Sequence, residues 1–261
     1  MQKNLSLANQ LIAALPAQER GFLLAHSELV ELKQHAMVCV VGEVSEYVWF
    51  PVEGFVSVIL PVVGAADMAF AQVGSEGMFQ ISAVFDVERS AFNCRVQAAG
   101  RAFRMTRVTL QQHLHMGGSL RSILSLYANA HLNQLAQQSS CINHHSVEQR
   151  LARALLMTRD RLCSSELFLT HEVLSLMLGV RRESVTQAAS AFQRRGLISY
   201  SRGYVMLLDE VALEQIACTC YEADLQIYER AFSEARFLGA TQAAAAVFSL
   251  GEGSPAAVTS R

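Results

Sequence analysis

The spacing of apolar positions changes character along the chain. Over residues 4 to 35 it is helical: Leu5, Leu7, Leu11, Ile12 and Leu15 share one face, and Pro16 can start a second helix through Arg20, Phe22, Leu23 and Leu24. From 37 to 107 short apolar runs take over, at Met37–Val41, Tyr47–Phe50, Val56–Leu60, Met68–Val73, Cys94–Ala98 and Arg101–Met105, with Gly42, Pro51 to Gly54 and Gly64 between them. Such runs predict an all-β sandwich or jelly-roll barrel. Residues 74 to 84 interrupt the strands, and a helical turn is expected there.

Helical spacing returns at Val108. After Gly117-Gly118, residues Leu120, Ile123, Leu124, Tyr127, Ala130, His131, Leu135 and Gln138 recur at near-heptad intervals. Residues 119 to 140 therefore predict one helix of roughly thirty ångströms, placed to serve as a dimer seam or to pack only on the barrel before it. Val147–Leu162 predicts another helix, and 163 to 168 a short link.

Leu169 to Asp209 then reads as two short helices around a Gly turn followed by two short strands around a second Gly. Thr170 can cap the first helix, and Gly179 breaks it. The second helix keeps Val185, Ala188, Ala189 and Phe192 on one face; the other carries Arg181, Arg182, Glu183, Ser184, Thr186 and Gln187, side-chain types that hydrogen-bond base edges and phosphates in a major groove. Gly196 ends that helix, and Arg202, in a turn between apolar runs, would reach a phosphate or a minor groove. Val211 to Phe237 predicts a terminal helix or two. Residues 238 to 261 are small, polar and repetitive, which predicts disorder.

Composition adds limits. The chain has 261 residues, 51% hydrophobic and 17% charged, enough for two globular cores. No uncharged apolar run reaches the roughly eighteen residues that signal a membrane span, and the N-terminus makes a poor signal peptide, so a cytoplasmic protein without membrane contact is expected. The net charge of -2 hides an uneven distribution: residues 119 to 203 hold 10 Lys+Arg against 5 Asp+Glu, whereas 204 to 261 hold 3 against 8. Positive charge lies where a phosphate backbone would need it.

The order of barrel, long helix and winged helix-turn-helix resembles the Crp/Fnr family of bacterial transcription regulators over roughly residues 5 to 235. The likeness is strongest in VEQRLARALLMTRDRL, in LTHEVLSLMLGVRRESVTQAASAFQRRGLISYSRG and in ACTCY at 217 to 221, which looks like a family subgroup with a GLExxxCxCY-type ending, its Gly replaced here by Ala212. The resemblance implies an α+β chain with a cyclic-nucleotide-binding-like jelly-roll barrel over 1–118, a dimerisation helix over 119–143, a winged helix-turn-helix over 144–237 and a disordered tail over 238–261. It implies a homodimer on a two-fold related operator, with double-stranded DNA, a second copy and RNA polymerase as partners. The family's turn motif falls on Gly179, Arg181, Arg182, Glu183, Ser184 and Val185, so Arg182 would read a guanine and Glu183 a cytosine amine. Where the family often has a second base-reading Arg, this chain has Gln187, which favours adenine.

Cyclic-nucleotide binders of that family use a Gly-Glu pair and an Arg-Ser pair. The corresponding residues here are Glu76 and Gly77, in reversed order, and Arg89 with Ser90, set too far from the next strand; they form a degenerate ligand site or merely shape loops. No cofactor is expected. Cys141, His144 or His145, Cys218 and Cys220 form a constellation suited to zinc, to a thiol switch, or simply to packing at a domain junction. The chain contains neither a Gly-rich phosphate loop nor an H-E-x-x-H motif, so an enzyme is not expected. The alternative to a regulator is a small-molecule or redox sensor in which DNA contact is secondary.

Overall fold

A computed structural model describes residues 8–64 and 67–251, with side chains to residue 238. Two short helices, α1 (Gln10–Ala14) and α2 (Ala17–Ala25), precede seven strands: β1 (Glu28–Leu32), β2 (Met37–Cys39), β3 (Tyr47–Pro51), β4 (Phe55–Leu60), β5 (Met68–Val73), β6 (Asn93–Ala98) and β7 (Gly100–Thr106). They form two antiparallel sheets, ordered β1-β7-β3 and β2-β6-β4-β5. A 3-10 turn, Ile81–Phe85, occupies the predicted interruption. The helical reading of residues 4 to 35 fails at Glu28–Leu32. This segment pairs with β7 instead, and Glu28 and Arg104, opposite each other in the register, join at 2.6 Å. The cross-strand pairing overrides a weak local helical period.

Helices α3 (Arg107–His115) and α4 (Ser119–His144) follow. Gly118 gives α4 no side-chain cap, so the cap comes from far away in sequence: one Glu19 oxygen accepts from Ser119 N (3.1 Å), Leu120 N (3.3 Å) and Ser119 Oγ (3.2 Å), while its other oxygen meets His113 Nε2 at 2.7 Å. A carboxylate there also complements the helix dipole. Leu120, Ile123, Leu124 and Tyr127 then enter one core with Leu11, Ile12, Phe50 and Phe103 of the barrel and with Phe232 and Ala235 from near the far end of the chain. The apolar face that the sequence suggests for a dimer seam is thus largely consumed within the protomer. Ser122, Ser125, Asn129, Leu132, Ala136 and Ser139 form the exposed stripe of α4, at alternating three- and four-residue spacing.

Beyond α4 lie α5 (Val147–Leu162), β8 (Glu166–Phe168), α6 (His171–Leu178), α7 (Arg182–Arg194), β9 (Ile198–Ser201), β10 (Tyr204–Leu207) and α8 (Glu210–Ile216). Helix α5 begins at a capping box, with Ser146 and Gln149 satisfying each other's backbone N–H groups. Residues 163 to 168 are more than a link. Glu166–Phe168 pairs with β10, and the wing is a three-stranded sheet ordered β8-β10-β9. A three-residue strand carries too short an alternation to stand out in a sequence.

Helix α9 (Cys220–Gly251) packs along α4 and continues past residue 237, where the composition predicts disorder. The Ala-rich run that reads as low complexity has high intrinsic helix propensity. The rest of the expected tail, 252–261, lies outside the described residues. None of the helices among the described residues is long and apolar enough to cross a membrane.

Candidate nucleic-acid interface

Thr170 caps α6 by accepting from Val173 N at 3.2 Å, and Gly179, at φ 60°, turns the chain left-handed so that α7 can start two residues after Val180. Val185, Ala188, Ala189 and Phe192 anchor α7 in a core with Leu155, Leu174, Leu178, Leu197 and Val205. Burial of that face fixes what the other presents. Arg181, Arg182, Glu183, Thr186 and Gln187 are all exposed and Ser184 is half-buried. The six residues singled out from the sequence are therefore gathered at the N-terminal end of α7, with Arg181 as its N-cap residue.

The wing adds a seventh. Arg202 (φ 50°) and Gly203 (φ 87°) are the two central residues of the β9–β10 turn, both in the left-handed region that suits a two-residue hairpin. Arg202 is exposed at its tip. Gly203 is held to the domain by its carbonyl, which accepts from Leu169 N at 2.8 Å, and a Cβ there would press on Phe168 and Thr170 at 3.2 Å.

Two further side chains brace α7. His171 Nδ1 lies 3.0 Å from Thr186 Oγ1, which also donates to the Arg182 carbonyl at 2.9 Å. The Tyr200 hydroxyl donates to Leu169 O at 2.7 Å, and its ring lies 4.7 Å from that of His171. Burial, followed by the nearby Arg182 charge, lowers the His171 pKa, while burial pushes Tyr200 up to about 12. Thr186 is therefore partly committed to the protein's own hydrogen bonds. The sequence places His171 just after a cap, but its approach to Thr186 depends on how α6 crosses α7.

The barrel residues do not assemble into an anion site. Glu76 Oε1 pairs with Arg161 Nε at 2.8 Å, and its second oxygen accepts from Gly74 N at 3.0 Å. Arg161 belongs to the last turn of α5, so Glu76 ties the barrel to the C-terminal half. Gly77 lies beneath the long helix: a Cβ would stand 2.0 Å from the Tyr127 hydroxyl oxygen, and that hydroxyl donates to Met78 O at 3.0 Å. Arg89 is exposed elsewhere and donates to Gly42 O at 2.7 Å. Between the barrel and α4 is a cavity of about 230 Å³ lined by Phe70, Phe79, Phe92, Cys94, His131 and Leu135 among others, with neither Lys nor Arg in its wall.

Residues 149–216 match the family model described as a Crp-like helix-turn-helix domain. Among solved structures, the chain is similar to FixK2 from Bradyrhizobium japonicum, at 15% identity and a TM-score of 0.65, over 74% of this chain and 98% of that one. It is also similar to a putative cAMP-binding regulatory protein from Silicibacter pomeroyi DSS-3 (17%, TM-score 0.61, over 83% and 98% of the two chains). TTHB099, a CRP-family transcriptional regulator from Thermus thermophilus, aligns at 20% identity and a TM-score of 0.60, over 72% and 96%. At these identities the likeness is one of fold. No curated protein matches the sequence.

Proposed function

We propose that this chain, which has the fold of the Crp/Fnr transcription regulators and carries a Crp-like helix-turn-helix domain, is a sequence-specific DNA-binding regulator that works in the cytoplasm as a homodimer on a two-fold related operator. The observation that carries this reading is the exposed group Arg181, Arg182, Glu183, Thr186 and Gln187 on one face of α7, with Arg202 on the adjoining wing. Arg182 is assigned to a guanine edge, Glu183 to a cytosine amine, Gln187 to an adenine, and Arg202 to the backbone or minor groove. Thr170 contributes as the cap that orients α6 and, through its partly exposed side chain, as a phosphate contact.

In this reading residues 1–118 form the receiving barrel, 119–143 the seam helix and 144–237 the reader. The exposed stripe of α4 supports a seam of small and polar side chains around Leu132 rather than an apolar zipper. Regulation then needs no chemistry on DNA: a signal changes the population of the arrangement in which two copies of α7 meet successive major-groove faces.

The test is to sequence the duplex fragments that the purified protein retains from a random pool. A two-fold related motif with half-sites about one helical turn apart supports the proposal. Recovery of unrelated sequences, with Arg182→Ala binding like the parent, would overturn the assignment of α7.

A further inference from the structure

At the point where the long helix hands over to the reader, four soft-donor side chains converge. Cys141 is on the last turn of α4 and His145 is its C-cap residue, four positions on and so on the same helical face. Cys218 comes from the connection between α8 and α9, and Cys220 is the first residue of α9. The three sulfurs and one imidazole nitrogen all lie within 4.8 Å of one another. Cys141 Sγ is 3.5 Å from Cys218 Sγ, and Cys220 Sγ is 3.5 Å from His145 Nδ1.

We propose that Cys141, His145, Cys218 and Cys220 are the ligands of a single zinc ion that clamps the C-terminal end of α4 to the α8–α9 connection and the start of α9. Zinc bonds of about 2.3 Å to sulfur and 2.0 Å to nitrogen, at tetrahedral angles, require donors roughly 3.5–3.8 Å apart. The observed spacings need only small adjustments. Donors this close enclose one ion, with no space for a polynuclear iron-sulfur core. Four protein ligands leave no open position, which marks a structural rather than a catalytic centre.

The surroundings suit a charged thiolate cluster. The three cysteines are buried and form their own small core, whereas Cys163 is exposed and stands apart. Three neighbouring buried thiols cannot all ionise without a cation among them. Gln137 Nε2 donates to Cys220 Sγ at 2.9 Å, a hydrogen bond that orients a thiolate ligand. The Arg153 guanidinium, held by Asp224 and Gln138, lies close enough to act on Cys141. Packing alone explains buried cysteines, but not a half-buried histidine turned onto one of them and an amide donor spent on sulfur.

The experiment uses the full chain without a histidine tag, purified anaerobically under reducing conditions with zinc present and then dialysed. The expected result is about one zinc per chain by elemental analysis, and on exchange with cobalt(II) the visible absorption of tetrahedral, thiolate-bound cobalt. Cys218→Ser should lose the metal, Gln137→Ala should weaken it about tenfold, and Cys163→Ser should retain it. If Cys218→Ser fails to fold, His145→Cys keeps four ligands and should shift the cobalt spectrum toward an all-thiolate pattern. A protein that stays metal-free after zinc loading and gives no tetrahedral cobalt spectrum would overturn the proposal. A Cys141–Cys218 disulfide in the anaerobically isolated protein would do so as well.

Discussion

Glu76 and Arg161 meet at 2.8 Å with less than a tenth of either side chain exposed, and they belong to the two different halves of the chain, the barrel and the last turn of α5. Removing one partner leaves the other charged and buried, which costs about 3–5 kcal/mol. Glu76→Ala should lower the free energy of urea unfolding by that amount, while Glu76→Leu with Arg161→Met should recover most of it. A double-mutant cycle that gives no coupling would mean that the pair is dispensable.

Gly77→Ala sets a methyl group into the space of the Tyr127 ring, whose Cζ and Cε2 lie 2.2 and 2.3 Å from the position of the new carbon. The barrel and α4 must then separate, at a cost of about 1–3 kcal/mol or more. Tyr127→Phe removes the hydroxyl and its hydrogen bond to Met78 O, about 1 kcal/mol, but leaves Cζ and Cε2 in the way of the new methyl group. Thermal melts of the two single variants and the combination distinguish these effects: Tyr127→Phe should not rescue the glycine substitution.

Arg182→Ala should weaken operator binding by about 1–3 kcal/mol and relax choice at one base position, with the far-ultraviolet circular dichroism unchanged. Arg202→Ala should weaken binding evenly across sequences and reduce the slope of log affinity against log salt by about one. Gln187→Arg should convert an adenine preference into guanine. Fluorescence anisotropy on single-base operator variants measures all three.

Cyclic AMP and cyclic GMP should not bind at micromolar concentration. A cyclic phosphate in the 230 Å³ cavity would find phenylalanines and neutral polar groups such as Gln80 and Ser90 but no Lys or Arg, with Arg89 turned away to Gly42, and a buried anion without a cation is strongly disfavoured. Isothermal titration decides the matter directly.

Burial lowers the pKa of His131, and burial followed by Arg182 lowers that of His171. In the unfolded chain both titrate near 6.5. A base that binds its proton less well when folded supports the fold above that pH and withdraws the support as pH falls toward the folded value. Stability should therefore decline between about pH 7 and pH 5, and His131→Gln should flatten the decline in chemical denaturation curves.

Much of this was legible in the chain. The contrast between short β runs and helical spacing located every strand from β2 to β7, and the polar face of α7 followed from the burial of Val185, Ala188, Ala189 and Phe192 opposite it. Where local period and tertiary pairing disagree, the sequence misleads: Glu28–Leu32 and Glu166–Phe168 are strands because of their partners. The role of Glu76 was hidden for the same reason. Its neighbours in sequence suggest a turn, and only the fold brings Arg161, 85 residues on, within 2.8 Å. His171 and Tyr200 likewise gain their places from the crossing of α6 over α7.

The core that joins Leu11 and Ile12 to Phe232 and Ala235 also governs how the protein can be made. As the chain leaves the ribosome, the barrel surface that these late residues cover stays open to water until nearly the whole sequence has been synthesised. The core of the helix-turn-helix half, which also takes in Phe55 of the barrel, is complete earlier, with Tyr221. A message cut short soon after Tyr221 would yield a product with the helix-turn-helix core complete on an unsealed barrel, prone to aggregation, and a protease that clipped α9 beyond that point would harm the N-terminal half first.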